Sequence, residues 1–540
     1  MQKKQIFLQV FVFSLFLAAG GLISAALKYE LTYDLLLYHH YNGFAFLNNR
    51  LTTDIAPASV ATYYNPLLDT LLYLLNDFCK DNTTLYCFLT GLPFGFLMFV
   101  LFKISLLFFD FKTIKGKCCC AAGLIIGATG VATWFQIGTC SHEIFLASLI
   151  LCSFYLLLKY PELKAVYLPA GFLLGAAAGF KLTAAVYCVS TGITLILSYK
   201  SLNKPVVLIA RFILGGLSGY LAVNGFWAVT LWQNFENPVF PFWNKIFKSP
   251  YYLDQNYVDM LHLNGLRWYQ LVFLPFFLIV HPFSSSVGAL QELTDFRLAV
   301  LFIAGIIFLP FLILKKIVVP PLIKKTALWL FVSYVIWLSV SANLRFIIPI
   351  ETVGAVTLAF IFSAIKKPDF VFGEAFYYSA ALIALFILTS TVVLSAPWGK
   401  RDQTGFLKEK VNLPENTVLE IYRFPLAGIA AEIARDNPTV KIILISPSDE
   451  QWHEWDLARI GKTDQKRGQL IKTAQNRAAL YQDAFGLVTQ ENPRLRQWNC
   501  RTLKIPAHLK SILFSNVKLC LSPEIRKERK TSHDTAMQIF

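Results

Sequence analysis

A succession of apolar runs punctuated by lysine constrains this chain more than any other feature. Runs fit to cross a membrane fall at 6–27, 85–109, 118–138, 144–158, 166–180, 183–199, 206–231, 297–314, 326–342, 346–364 and 375–396. A straight span needs about 20 apolar residues, so the shorter runs have soft ends. With 56% hydrophobic and 15% charged residues over 540 positions, the composition excludes an ordinary soluble protein. The predicted fold class is an all-α polytopic membrane protein of about 11 spans with a C-terminal α/β domain.

Lysine supplies the topology. Lys3/Lys4, Lys112/Lys115/Lys117, Lys159/Lys164, Lys200/Lys204, Lys315/Lys316/Lys324/Lys325 and Lys366/Lys367 all fall on one side if the N-terminus is cytoplasmic. The net charge of +16 therefore marks membrane orientation, and no nucleic-acid partner is expected. The first run is too long for a signal-peptide core and reads as an anchor.

The opposite face receives residues 28–84, the turn Cys140–Glu143, Lys181, residues 232–296, Arg345 and everything after Ala396. The stretch 268–282 is apolar but carries Pro275 and His281-Pro282. Counting it as a span would move the Lys315 cluster outside, so it is expected to be re-entrant or surface-lying. The chain thus divides into a transmembrane domain, 1–396, and a soluble extracytoplasmic domain, 397–540. In the latter, strands at Thr417–Tyr422 and Val440–Ser446 flank a helix at Leu426–Ala434, a βαβ unit. A polar helical middle (Trp452–Gln490) and a disordered tail (Lys527–Phe540) are expected. Outside the cytoplasm, Cys500 with Cys520 and Cys79 with Cys87 suit disulfides. Cys118–Cys120 have no metal-ligand spacing and read as apolar filler.

Ionisable groups at span ends carry the chemistry, because a charge near hydrocarbon is costly and usually has a partner or a task. Four collect on the outer face: Asp34, Glu143 after Ser141-His142, Lys181 in Gly179-Phe-Lys-Leu-Thr183, and Arg345 in Asn343-Leu-Arg-Phe. Thr32 is the expected N-cap of a helix running to about Asn49, which places Asp34, Tyr38 and Tyr41 on one face. Two acids and two cations suit a phosphate-bearing lipid: Arg345 and Lys181 hold phosphate while a carboxylate takes a proton. His39 and His40 are adjacent on a helix and point apart, so no metal ligands are assigned. No internal repeat supports a transporter or flippase, though a polysaccharide polymerase or ligase stays chemically close.

An early acid in the first outer loop, followed by Tyr64-Asn65-Pro66, resembles the GT-C superfamily of integral-membrane glycosyltransferases. Gly179-Phe-Lys181-Leu-Thr, Asn237-Pro-Val-Phe-Pro-Phe-Trp-Asn244 and Leu344-Arg345-Phe with Pro349 look like further landmarks of its bacterial members. The resemblance covers about residues 1–396. It implies a polyprenyl-phosphate-linked sugar as donor and transfer at the outer face to a glycan, lipid or protein. It further implies Asp34 as general base, Glu143 as second acid, and Lys181 and Arg345 as donor-phosphate contacts. Tyr38, Tyr64, Asn65, His142, Asn237 and Asn244 are the expected substrate-binding residues around them. Where superfamily members often carry an Asp-Asp or Asp-Glu pair, Asp34 stands alone. A divalent cation, Mg or Mn, is the one cofactor the resemblance leaves open.

Overall fold

The computed structural model describes residues 2–80, 82–198, 204–252, 254, 256, 269–270, 273–280, 296–313, 320–340, 342–364, 399–400, 405–415, 417–421, 425–444, 484–488, 499–505 and 516–521. Helix α1 (Gln2–Leu27) leads into the first long loop, which holds strand β1 (Tyr29–Leu31) and helices α2 (His40–Leu47) and α3 (Leu67–Cys79). There follow α4 (Thr83–Phe108), α5 (Ile114–Ala128), the single turn α6 (Val131–Trp134), α7 (Glu143–Lys159), α8 (Tyr167–Phe180), α9 (Ala185–Leu197) and α10 (Pro205–Phe235). The second outer loop carries α11 (Asn244–Phe247) and α12 (Leu274–Val280). Then come α13 (Arg297–Ile313), α14 (Pro321–Val340) and α15 (Ile348–Ala364).

Helices thus occupy all the expected apolar runs except 375–396, which lies outside the described residues. Lys4–Leu27, Thr83–Phe108, Pro205–Phe235, Pro321–Val340 and Leu344–Ser363 are individually long and apolar enough to cross a membrane. The run 118–138 is not one helix. Its ladder breaks after Ala128, and the buried carboxylate of Glu351 on α15 caps the next turn, accepting from Ala132 N at 3.2 Å, Thr133 N at 2.9 Å and Thr133 Oγ1 at 2.6 Å. An acid at a helix start satisfies orphan amides that lipid cannot. Small residues set the tightest helix contact: a Cβ at Gly175 of α8 would lie 1.9 Å from the Gly216 carbonyl of α10. Within 268–282, α12 is the described helix and Phe276 packs edge-on against Phe302 at 5.7 Å; the flanking residues lie outside the described set.

Strand β2 (Gly399–Lys400) pairs antiparallel with β1, and the rest of the C-terminal part forms a five-stranded mixed sheet. Strands β3 (Val418–Ile421), β4 (Lys441–Leu444), β5 (Ala484–Val488), β6 (Asn499–Thr502) and β7 (Lys518–Leu521) lie in the order β4-β3-β5-β7-β6. β3 is parallel to β4 and β5, and helix α16 (Ala427–Asp436) supplies the β3-to-β4 crossover expected from sequence. Residues 484–488, read as part of a helical middle, are instead the strand β5; its alternating Phe485 and Leu487 suit a sheet. The rest of Trp452–Gln490, and the tail Lys527–Phe540, lie outside the described residues. Cys500 and Cys520 sit opposite each other on β6 and β7 and form a disulfide, whereas Cys79 and Cys87 remain thiols. The outermost strand of the sheet meets the membrane part directly. Ile55 of the first outer loop bridges β4, donating to the Ile442 carbonyl at 2.9 Å and accepting from Leu444 N at 3.1 Å. Leu36, Tyr41 and Phe44 share one buried cluster with Phe406, Leu426 and Ile433, so loop and sheet have a common core.

Candidate active site

Thr32 Oγ1 accepts from Leu35 N at 3.1 Å, the expected cap. The helix it starts is not regular: Leu35–His39 is a π turn before α2. The wider turn brings residue 39, as well as residue 38, round to the side of Asp34, and such turns recur at functional sites. The same insertion removes Tyr41 from the expected Asp34–Tyr38 face. Tyr41 instead donates to Asp54 Oδ2 at 2.9 Å, within an Arg50–Asp54 pair whose Oδ1 accepts from Ile442 N of the C-terminal sheet at 2.9 Å.

The four span-end charges assemble as two crossed pairs. Arg345 Nη1 donates to Asp34 Oδ2, and Lys181 Nζ donates to Glu143 Oε1 and, at 3.3 Å, to the Ser141 carbonyl. Both cations lie against one ring, Phe346, at 5.7 Å for Lys181 and 5.8 Å for Arg345. The turn bearing Arg345 is fixed from three sides. Asn343 Oδ1 accepts from Arg345 N at 3.0 Å, Gln136 Nε2 donates to the Arg345 carbonyl at 3.0 Å, and Tyr187 donates to the Phe346 carbonyl at 2.6 Å. Two buried atoms of this centre, Arg345 Nε and Glu143 Oε2, have no hydrogen-bond partner among the described residues. An unpartnered buried donor is costly, and it is available to an incoming anion.

Burial opposes ionisation of Asp34, but Arg345 beside it, with His39 and Lys181 further off, holds its pKa below the usual carboxylate value. Burial and the charges of Asp34, Glu143 and Asp69 outweigh Arg345 at Tyr38, raise its pKa well above that of a free phenol and keep it protonated. Each acid of the centre faces its own cation, Asp34 against Arg345 and Glu143 against Lys181.

The remaining expected residues divide. Tyr38 packs edge-on against Tyr64 at 5.5 Å, and Tyr64 stacks on Phe242 at 6.0 Å, linking the centre to the second outer loop. Asn65 is a strut: its amide donates to the Gly179 and Val223 carbonyls at 3.0 and 3.1 Å and its oxygen accepts from Leu67 N at 3.0 Å. Asn237 and Asn244 are fully buried. Asn237 donates to the Phe242 carbonyl at 3.0 Å and Asn244 to the Ser249 carbonyl at 3.0 Å, so both amides shape their own loop. His142, in a left-handed backbone conformation at φ +66, turns its ring to Asp69. Sequence reasoning missed Asp69, which is buried in the first turn of α3. Its signal was a first-turn acid on the polar side of an amphipathic helix, where Tyr73 and Asn76 also lie.

An apolar cavity of about 400 Å³ adjoins the centre, lined by Leu17, Leu72, Phe96, Gln136, His142 and Phe145 among others. A much smaller crevice lies on the other side of the His142–Glu143 corner, among Glu143, Tyr187, Arg345 and Phe346.

No family model matches the chain, and no curated protein matches it in sequence. Among solved structures, the crystal structure of ArnT from Cupriavidus metallidurans bound to undecaprenyl phosphate superposes with a TM-score of 0.50. The match covers 96% of this chain and 98% of that one at 10% identity, so the likeness is one of fold. The chain therefore shares the fold of that ArnT structure over nearly its whole length, from the helical part through the C-terminal sheet.

Proposed function

We propose that this chain is a multi-pass inner-membrane glycosyltransferase that moves a sugar from a polyprenyl-phosphate donor to an envelope acceptor at the extracytoplasmic face. The observation that carries the reading is the pair of crossed contacts, Asp34–Arg345 and Glu143–Lys181, around Phe346 at one end of the spans. A donor phosphate competes with Asp34 for Arg345, whose Nε is already without a partner. As the guanidinium turns to phosphate, Asp34 loses the charge that depresses its pKa and becomes the stronger base. It then takes the proton of the acceptor hydroxyl, which attacks the anomeric carbon. The leaving phosphate gains charge that Arg345 and Lys181 stabilise. Direct displacement inverts the anomeric centre. Glu143 holds Lys181 in place through the reaction.

Of a glycan, a lipid and a protein, the apolar cavity beside His142 favours a lipid acceptor, because only hydrocarbon recovers free energy by filling it. The N-terminus is cytoplasmic in this reading, from the lysine pattern. Mass spectrometry of envelope lipids and glycans from cells with and without the gene tests it. Loss of one glycosylated species with accumulation of a polyprenyl-phosphate sugar is expected; identical profiles would reject the reading.

A further inference from the structure

Three side chains that the proposed transfer does not use converge beside the centre. His39 Nδ1 lies 2.6 Å from Asp69 Oδ1, and His142 Nε2 lies 2.9 Å from the same oxygen. The three potential ligand atoms all fall within 4.8 Å of one another. His39 and Asp69 are almost fully buried, and His142 keeps only a small exposed edge. Asn42 Nδ2 donates to Asp69 Oδ2 at 3.2 Å and to the Ala61 carbonyl at 2.9 Å, which fixes the carboxylate from behind. An outer-shell amide of that kind is what orients a ligating carboxylate. His39 Nε2 is buried, and His39 also lies against the buried Cys140 thiol.

We infer that His39, Asp69 and His142 form a binding site for a divalent transition ion, with zinc the best match. Two imidazoles and one carboxylate make a three-ligand set that leaves a fourth position open. Imidazole nitrogen selects zinc, copper, iron or nickel, whereas Mg and Mn prefer all-oxygen shells. Ligand atoms around tetrahedral zinc at about 2.0–2.1 Å stand about 3.3 Å apart. The two short contacts to Asp69, at 2.6 and 2.9 Å, would therefore open by about 0.7 and about 0.4 Å on binding. The site draws on the π turn, on α3 and on the start of α7, and His142 immediately precedes Glu143. The ion would thus pin the first outer loop to the corner that carries the second acid. His142 also lines the apolar cavity, so an oxygen of a headgroup entering there would be the natural fourth ligand. None of this depends on the glycosyl-transfer reading.

The test uses the full chain, purified without a histidine tag, in nanodiscs. Elemental analysis is expected to find about one zinc per chain, falling at least tenfold in Asp69→Asn and His142→Ala. After chelation, titration with cobalt(II) alone is expected to give the visible absorption of a four- or five-coordinate site, saturating at one equivalent. The cobalt spectrum of the unaltered protein decides the matter even if a variant fails to fold. No such spectrum from the chelated wild-type chain, or no more zinc in the wild-type chain as purified than in His142→Ala, overturns the inference and leaves a hydrogen-bonded His–Asp–His cluster.

Discussion

Replacing Arg345 by alanine separates a donor-binding role from a structural one. In the structure the Arg345 and Asp34 side chains keep 23% and 19% of their exposure, so their contact is partly screened. Truncating a buried, hydrogen-bonded charge costs about 2–5 kcal/mol, and the residual exposure places this site in the lower half, at about 2–3.5 kcal/mol. At 1.4 kcal/mol per tenfold, Arg345→Ala should weaken donor binding about 30- to 300-fold. Arg345→Lys should recover only part of that, because an ammonium lacks the planar fork that meets two phosphate oxygens. Removing Arg345 also leaves burial as the leading influence on Asp34, whose pKa should rise. The assay is equilibrium binding of polyprenyl phosphate to purified protein in nanodiscs, with thermal melts confirming that each variant is folded. A folded Arg345→Ala that binds within twofold of wild type would refute the reasoning, and Arg345 would then serve only to neutralise Asp34.

Glu351→Ala should lower stability by about 2–4 kcal/mol, since it strips three hydrogen bonds from the buried start of α6; a melt equal to wild type counts against the cap. Breaking the Cys500–Cys520 bridge, which closes a loop with a sequence separation of 20, should destabilise the C-terminal domain by about 3 kcal/mol on a chain-entropy estimate. Denaturant titration of Cys500→Ser/Cys520→Ser in oxidised membranes reads that change, and coincident curves would remove the effect. A cysteine introduced at exposed Glu415 should react with an impermeant thiol reagent in intact spheroplasts, and protection there would invert the topology.

The membrane part was legible because its signal is long and redundant: apolar runs repeat, and every lysine cluster agrees on orientation. The four charged residues were legible for a related reason, since a charge at a span end is rare enough to stand out. Their pairing was not, because nothing in sequence spacing brings Asp34 to Arg345. The face shared by Asp34 and Tyr41 failed on one extra residue of helical turn, which α-helical periodicity cannot anticipate. Asn65, Asn237 and Asn244 were read as ligand contacts on motif position, yet their amides are consumed by nearby carbonyls that only the folded loops supply. Asp69 was hidden because it shares the polar side of an amphipathic helix with Tyr73, Asn76 and Asp77, and its partner His39 was set aside by the sound rule that neighbours on a helix diverge. His39 and His40 do diverge: one ring meets Asp69, the other lies 4.6 Å from Phe406. The strand at 484–488 was misread because its long-range partners β3 and β7 decide its state.

Asp34 is the centre of the account, and Asp34→Asn tests it most directly. Asparagine keeps the size of the side chain and can still accept a hydrogen bond from Arg345, but it cannot take a proton. Loss of a general base typically costs about 10²–10⁴-fold in rate. The measurement is turnover of purified Asp34→Asn with a polyprenyl-phosphate sugar and the native acceptor, at matched stability and saturating donor. The account predicts a fall of at least 100-fold with the protein still folded and donor-bound; turnover near that of wild type would contradict it.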